Sequence, residues 1–206
     1  MKRRTGAVGL TGGIACGKST VAALWQADGV PVLDTDVVAR AVLSPGHPVF
    51  NAVIEAFGRS YLQTDGGIDR HKLGGAVFAD AAARARLNAL MHPAIFAEVE
   101  RWLDDVLTGS RHAVVVVPLL FETGADALME KTVTVASDEV LVRARLAARG
   151  LDESAATARL DAQWPLVEKV RRADAVIWNN GTIEALGEAA RAVWRTTILG
   201  KEHAKT

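Results

Sequence analysis

Residues Gly12-Gly13-Ile14-Ala15-Cys16-Gly17-Lys18-Ser19 fit the spacing G-x-x-x-x-G-K-[ST], set between an apolar stretch, Ala7 to Leu10, and a helix-like stretch, Thr20 to Ala27. Strand, glycine-rich turn and helix in that order form a loop whose backbone N–H groups turn inward on an anion. The turn demands positive φ and no β-carbon near the anion, which Gly12 and Gly17 supply. Lys18 then reaches the β- and γ-phosphates as a point charge, Ser19 offers a hydroxyl to Mg²⁺, and the helix N-terminus adds a dipole of the right sign. Gly13, Ile14, Ala15, Cys16, Gly17, Lys18, Ser19 and Thr20 are the expected phosphate-binding residues.

Four further apolar stretches read as strands: Val30 to Leu33, His112 to Val117, Thr132 to Ala136, and Ala175 to Trp178. They are continuous and mostly Val or Ile, as strands covered on both faces should be. Alternation with helical patterns predicts an α/β fold of the P-loop nucleoside-triphosphate hydrolase type. Its five-stranded parallel sheet is flanked by helices, with ligands at the carboxyl ends of the strands. Val37 to Arg111 is far longer than one crossover helix needs. Helices are expected there at about Val37–Leu43, Val49–Phe57, Arg70–Phe78, Ala81–Met91 and Pro93–Leu107, with Pro93 opening its helix and Gly109 closing it. Ser44-Pro45-Gly46 and Asp65-Gly66-Gly67 read as breaks. This insertion should hold a second substrate. The whole is expected to be a single domain: a core of about 1–36, 110–142 and 173–206, the insertion at about 37–109, and a lid at about 143–172.

Asp34 and Asp36 stand two apart at the end of the second strand, so an extended backbone would point both to one side. Phosphoryl transfer uses such a carboxylate to accept the proton of the attacking hydroxyl, and Asp36 is the candidate. Its alternative role is only to cap the helix at Val37. Asp34 either helps Mg²⁺ through water or braces Lys18. No aspartate follows Val114-Val115-Val116-Val117, where many P-loop proteins hold their metal. Either Asp34 or Asp36 takes over that role, or Glu122, after Pro118-Leu119-Leu120-Phe121, reaches in; the alternative for Glu122 is a surface charge on a loop. Arg143, Arg145, Arg149, Arg159, Lys169, Arg171 and Arg172 crowd the segment from Leu141 to Ala173, which suggests a helical hairpin with a basic inner face.

Lys plus Arg and Asp plus Glu both total 24, so no global field draws nucleic acid. Cys16 is the single cysteine, which excludes an internal disulfide and fits a reducing, cytoplasmic setting. Its thiol is expected to be reactive in an electropositive loop. Ala7 to Leu10 is too short for an export signal, and no 18-residue apolar stretch predicts a membrane span. No obligate protein partner is evident in the pattern.

The motifs together resemble the dephospho-CoA kinase family over nearly the whole chain, from Val8 to about Gly187. They are Leu10-Thr11-Gly12-Gly13-Ile14 with Gly17-Lys18-Ser19-Thr20; Asp34-Thr35-Asp36 with Ala39-Arg40; Asp69-Arg70 through Leu73-Gly74 to Val77-Phe78; and Leu87-Asn88 to His92-Pro93. Val117 to Glu122, Arg145-Leu146 with Arg149, Arg159-Leu160 with Gln163, and Ala173-Asp174 leading to Asn179-Asn180-Gly181 complete the set. The resemblance implies transfer of the γ-phosphate of ATP, with Mg²⁺, to the ribose 3′-hydroxyl of dephospho-CoA, giving coenzyme A and ADP. It implies Asp36 as general base, Arg145 as a lid arginine facing the phosphates with Arg149 beside it, and Asn179, Asn180 and Gly181 near the adenine of ATP. Both lid arginines are expected to swing onto the phosphates only when both substrates are bound. Ala15-Cys16 departs from a more usual Gly/Ser pair, a change small enough to keep the loop. Arg40, Arg70 and Lys72 are candidates for the acceptor pyrophosphate. His92 either binds a substrate phosphate or caps and packs.

A kinase for another small acceptor, such as a nucleoside monophosphate, would share the loop and lid and differ in the insertion. A GTPase-type switch is disfavoured, because neither N-K-x-D nor D-x-x-G occurs in the chain.

Overall fold

β1 (Ala7–Gly12) is buried at every residue, because it lies in the middle of its sheet. The computed structural model describes residues 2–200. Its sheet has five parallel strands: β1, β2 (Val32–Asp34), β3 (Ala113–Val116), β4 (Lys131–Ala136) and β5 (Ala175–Trp178), in the order β2-β3-β1-β4-β5. Leu10 sits opposite Val116 on one side and Val133 on the other. The β4–β5 pairing carries Ala136 to Trp178. Asp174 fixes the start of that pair, accepting from the Thr132 N–H at 2.7 Å and its hydroxyl at 2.8 Å. The strands lie within two residues of those expected.

The chain divides into two compact units, one running Asp34–Trp102 and the other made of the chain on either side of it. The flanking unit, the first of the two, is the sheet with α1 (Lys18–Ala27), α6 (Glu139–Ala148), α7 (Glu153–Asp161), α8 (Leu166–Arg172) and α9 (Ile183–Val193). Its core joins Val8, Leu10, Val21, Val114, Val135, Leu146 and Ile177. Trp25 of α1 is 1% exposed and donates its indole N–H to the Ala190 carbonyl of α9 at 3.2 Å. That bond satisfies the one polar atom of a large buried ring.

The second unit contains α2 (Thr35–Val42), α3 (Pro48–Phe57), α4 (Arg70–Ala79) and most of α5 (Ala81–Gly109) around Val53, Ile68 and Leu73. Three expectations change here and in the lid. Pro93 lies inside α5 and does not open a helix, so 81–109 is one continuous element. The missing N–H costs about 3 kcal/mol relative to alanine. Met91, Val99 and Leu103 of the same helix are buried, each worth about 1.5–3 kcal/mol. Second, β2 stops at Asp34, and Thr35 and Asp36 are already helical. The two aspartates are thus not side by side on an extended strand. Third, residues 139–172 form three helices and not a hairpin; a break at Gly150, with φ +81°, separates α6 from α7. Among the described residues, no helix is long and apolar enough to cross a membrane. The tail Lys201 to Thr206, whose role the sequence leaves open, lies outside the described residues.

Candidate active site

Gly12 has φ +148°, and a β-carbon there would stand 2.1 Å from the Val135 carbonyl oxygen. Gly17 has φ +100°, and its β-carbon would meet the Asn179 amide nitrogen at 2.4 Å. Both glycines are therefore demanded by backbone conformation and by space. Gly17 caps α1, so Lys18, Ser19 and Thr20 form its first turn, in which the Thr20 N–H donates to the Gly17 carbonyl at 3.1 Å. Lys18 Nζ donates to the Gly12 and Gly13 carbonyls at 3.0 and 2.7 Å. The loop's own oxygens thus hold the ammonium.

A hydrogen-bond network braces this loop from α6 and β5. Arg145 donates to the Ala15 carbonyl at 3.2 Å, to the Ser137 hydroxyl at 2.9 Å and to the Asn179 carbonyl at 2.9 Å. Asn179 donates its side-chain N–H to the Cys16 carbonyl at 2.9 Å. Ser137 closes the ring by donating to the Asn179 carbonyl at 2.8 Å. Arg145 thus stands at the loop on three acceptors. Arg149 is exposed at the end of α6. Asn180 accepts from the Asp138 N–H at 2.9 Å, tying the ends of β4 and β5 together, and Gly181 follows in the exposed turn.

Ala15, at φ 56°, is the one non-glycine residue with positive φ among the described residues. The departure from Gly/Ser therefore keeps the loop at the cost of a left-handed alanine, about 1–2 kcal/mol. Cys16 is 1% exposed. Burial raises its thiol pKa and outweighs the lowering effects of Lys18 and Arg145. The expectation of a reactive thiol fails on that ground. A cavity of about 580 Å³ opens beside the loop, lined by Gly13, Ile14, Ser137, Arg143, Trp164 and Leu166 among others.

The expected basic face is largely spoken for. Arg143 pairs with Glu139 and Glu153, Arg171 pairs with Glu168 at 3.2 Å, and Arg172 lies 4.7 Å over the Trp164 ring. Lys169 is fully buried against Glu122, 2.7 Å away. Glu122 is therefore neither a surface loop charge nor a carboxylate with both oxygens open to a metal.

In the second unit, Asp34 caps α2 by accepting from the Asp36 N–H at 2.8 Å. The capping role falls to Asp34, and Asp36 sits exposed in the first turn, where an acidic group complements the helix dipole. Arg40 and Arg70 are exposed. Lys72 donates to the Ser60 carbonyl at 2.8 Å and lies 5.5 Å over the Tyr61 ring. His92 packs its ring 5.8 Å from Phe96, and burial lowers its pKa below 6.5. At neutral pH it is an uncharged packing group, which favours the structural alternative for this residue.

Comparison with known proteins gives this geometry a lineage. The family model described as Dephospho-CoA kinase matches residues 6–185. The chain belongs to the dephospho-CoA kinase family. The dephospho-CoA kinase of Geobacillus kaustophilus is 47% identical over 182 residues, covering 86% of this chain and 89% of that protein. Among solved structures, TT1252 from Thermus thermophilus is 32% identical, with a TM-score of 0.79 over 96% of this chain and 99% of that one. Dephospho-CoA kinase from Campylobacter jejuni is 28% identical, with a TM-score of 0.72 over 97% and 99%. The chain is accordingly an ATP-dependent kinase, and the bracing of its P-loop can be read as part of that machinery. Ser137 is a residue that sequence reasoning missed, and for Asn179 and Lys169 it missed the contacts: Asn179 to the Cys16 carbonyl and Lys169 to Glu122. Asn179 stood in the segment expected near the adenine, but its partner Cys16 lies 163 positions away.

Proposed function

We propose that this dephospho-CoA kinase transfers the γ-phosphate of ATP to the ribose 3′-hydroxyl of dephospho-CoA, yielding coenzyme A and ADP, in the cytoplasm. The observation that carries the reading is the braced P-loop, with Lys18 Nζ held on the Gly12 and Gly13 carbonyls. Residues 13–20 cradle the triphosphate, and Lys18 neutralises charge on its β- and γ-oxygens. Arg145 adds positive charge from the far side of the loop, with Arg149 as a second contact, and Asn180 and Gly181 border the adenine. Asp36 takes the proton from the attacking hydroxyl, and Arg40, Arg70 and Lys72 bind the acceptor pyrophosphate.

Among the described residues there is no cluster of three or more His, Cys, Asp or Glu side chains fit to hold a metal. That suits Mg²⁺, which keeps its waters and binds chiefly through substrate phosphates with one or two protein groups. Ser19, exposed in the first turn of α1, would supply a hydroxyl. Asp34, one carboxylate oxygen of which accepts from Asp36, would act through water. The ion would offset charge on the phosphates. Phosphoryl transfer asks the protein mainly to position reactants and neutralise charge, and these residues divide that work.

The test is a coupled ADP-release assay offering dephospho-CoA, AMP, UMP and shikimate in parallel, with the product mass measured. Dephospho-CoA should be turned over at least about a hundredfold more efficiently than the others, the margin that a site built around a substrate's polar groups achieves. Comparable efficiency with AMP or UMP would replace this reading by the nucleoside-monophosphate alternative.

A further inference from the structure

The feature that phosphate chemistry leaves unexplained is the buried charge pair beside the P-loop. Lys169 is 0% exposed. Its Nζ lies 2.7 Å from Glu122 Oε1 and donates to the Pro118 carbonyl at 2.8 Å. The same carbonyl accepts from the hydroxyl of Thr11, the residue before Gly12, at 3.2 Å. Glu122 Oε1 also accepts from the Trp164 N–H at 3.3 Å. The Lys169 backbone carbonyl in turn accepts from the Thr134 hydroxyl of β4 at 3.1 Å. One side chain therefore ties α8 to the turn after β3, and through that turn to the end of β1. At the start of α8, Leu166 comes within 3.6 Å of where a β-carbon on Gly13 would lie.

Stability alone does not account for this arrangement. Taking an ammonium and a carboxylate out of water costs several kcal/mol each, and apolar residues of similar volume often do as well or better. Glu122 Oε2 is moreover buried with no hydrogen-bond partner among the described residues, a further cost that a purely structural pair would be expected to avoid. An ion pair provides direction, which apolar contact lacks: it holds two segments at fixed distance and angle.

We propose that Lys169 and Glu122 are positioning residues for phosphoryl transfer, fixing the Pro118–Glu122 turn and the Trp164–Leu166 turn against the Gly12–Gly13 end of the P-loop. The proposal rests on the kinase reading above. The pair acts through the loop and does not itself contact the reacting atoms. Misplacing a reactant by about 1 Å costs on the order of a hundredfold in rate, so small shifts of Gly12 and Gly13 are enough.

The experiment compares wild type, Glu122→Met, Lys169→Met, the double variant Glu122→Met/Lys169→Met, and Glu122→Asp. Melting temperature, kcat, and KM for ATP and dephospho-CoA are measured for each. Each methionine single leaves one buried charge unpaired and should melt well below wild type, whereas the double variant should recover most of the loss. The double variant should still turn over at least about tenfold more slowly, with both KM values within about threefold of wild type. Glu122→Asp keeps the pair but retracts the carboxylate by one methylene. It gives the same split of kcat from KM without depending on how the methionine variants fold. Wild-type kcat in the double variant or in Glu122→Asp would overturn the positioning role, as would a loss confined to KM. Failure of the wild type to phosphorylate dephospho-CoA would instead overturn the kinase reading.

Discussion

The P-loop platform and the helical insertion hold their polar side chains in opposite ways. In the first, Lys18, Arg145, Ser137 and Asn179 are each held by hydrogen bonds of 2.7–3.2 Å before any substrate is considered. In the second, Arg40 and Arg70 are exposed, Lys72 is tied to its neighbours, and His92 is an uncharged ring against Phe96. The difference follows from chemistry. A transferring phosphoryl group needs donors that are already in place, because reorganisation at the moment of reaction would be added to the barrier. An acceptor needs only to be bound and oriented, which long exposed cations can do by settling onto a pyrophosphate.

This contrast can be broken most severely at Lys18. Lys18→Ala should cut kcat by roughly a thousandfold, with a melting temperature close to wild type because the ammonium contacts loop carbonyls and not core. Steady-state kinetics with calorimetry checks both halves. Near-normal turnover would remove the phosphate role of the loop. Asp36→Asn should cost several hundredfold in kcat, within the roughly 10²–10⁴ range of a general base, while KM for ATP stays within about threefold. A collapse of ATP binding in that variant would move Asp36 from proton transfer to metal binding or structure.

Arg145 sharpens the contrast from the other side. Arg145→Ala should lower kcat by about a hundredfold and also lower the melting temperature, since it leaves the Ala15 and Asn179 carbonyls without this donor. A residue that only swings in with substrate would lose turnover with no change in melting. The smallest effects belong to the insertion. Arg70→Ala should raise KM for dephospho-CoA about tenfold, the loss of one charge-assisted hydrogen bond, and His92→Phe should leave it within about twofold. Equal effects of the two would mean that His92 reads substrate after all.

The sheet was legible in the sequence because its strands are continuous Val and Ile runs, and the P-loop because its glycines, lysine and serine fall at fixed spacing within eight residues. The end of β2 was not, since Asp34-Thr35-Asp36 suits an extended strand as well as a helix start. Only the Asp34 cap decides between them. Pro93 looked like a helix opening because proline favours that position, yet burial along α5 overrides the local preference. Arg143 and Arg171 looked like part of one basic face because their acidic partners, Glu139, Glu153 and Glu168, are paired with them only by the folded helices. The contacts of Asn179 and Lys169, though both residues stood in recognised segments, were hidden for a related reason. Their partners lie on other elements, and no spacing in one chain announces a contact between distant segments.

The division of labour between the two units is tested most directly by hydrogen exchange with each ligand alone. A non-hydrolysable ATP analogue should slow exchange in residues 12–20 and 179–181 and leave 35–42 and 70–79 unchanged. Dephospho-CoA alone should slow 35–42 and 70–79 instead. Protection by dephospho-CoA confined to the P-loop, with none in α2 or α4, would contradict the assignment of the acceptor to the helical insertion.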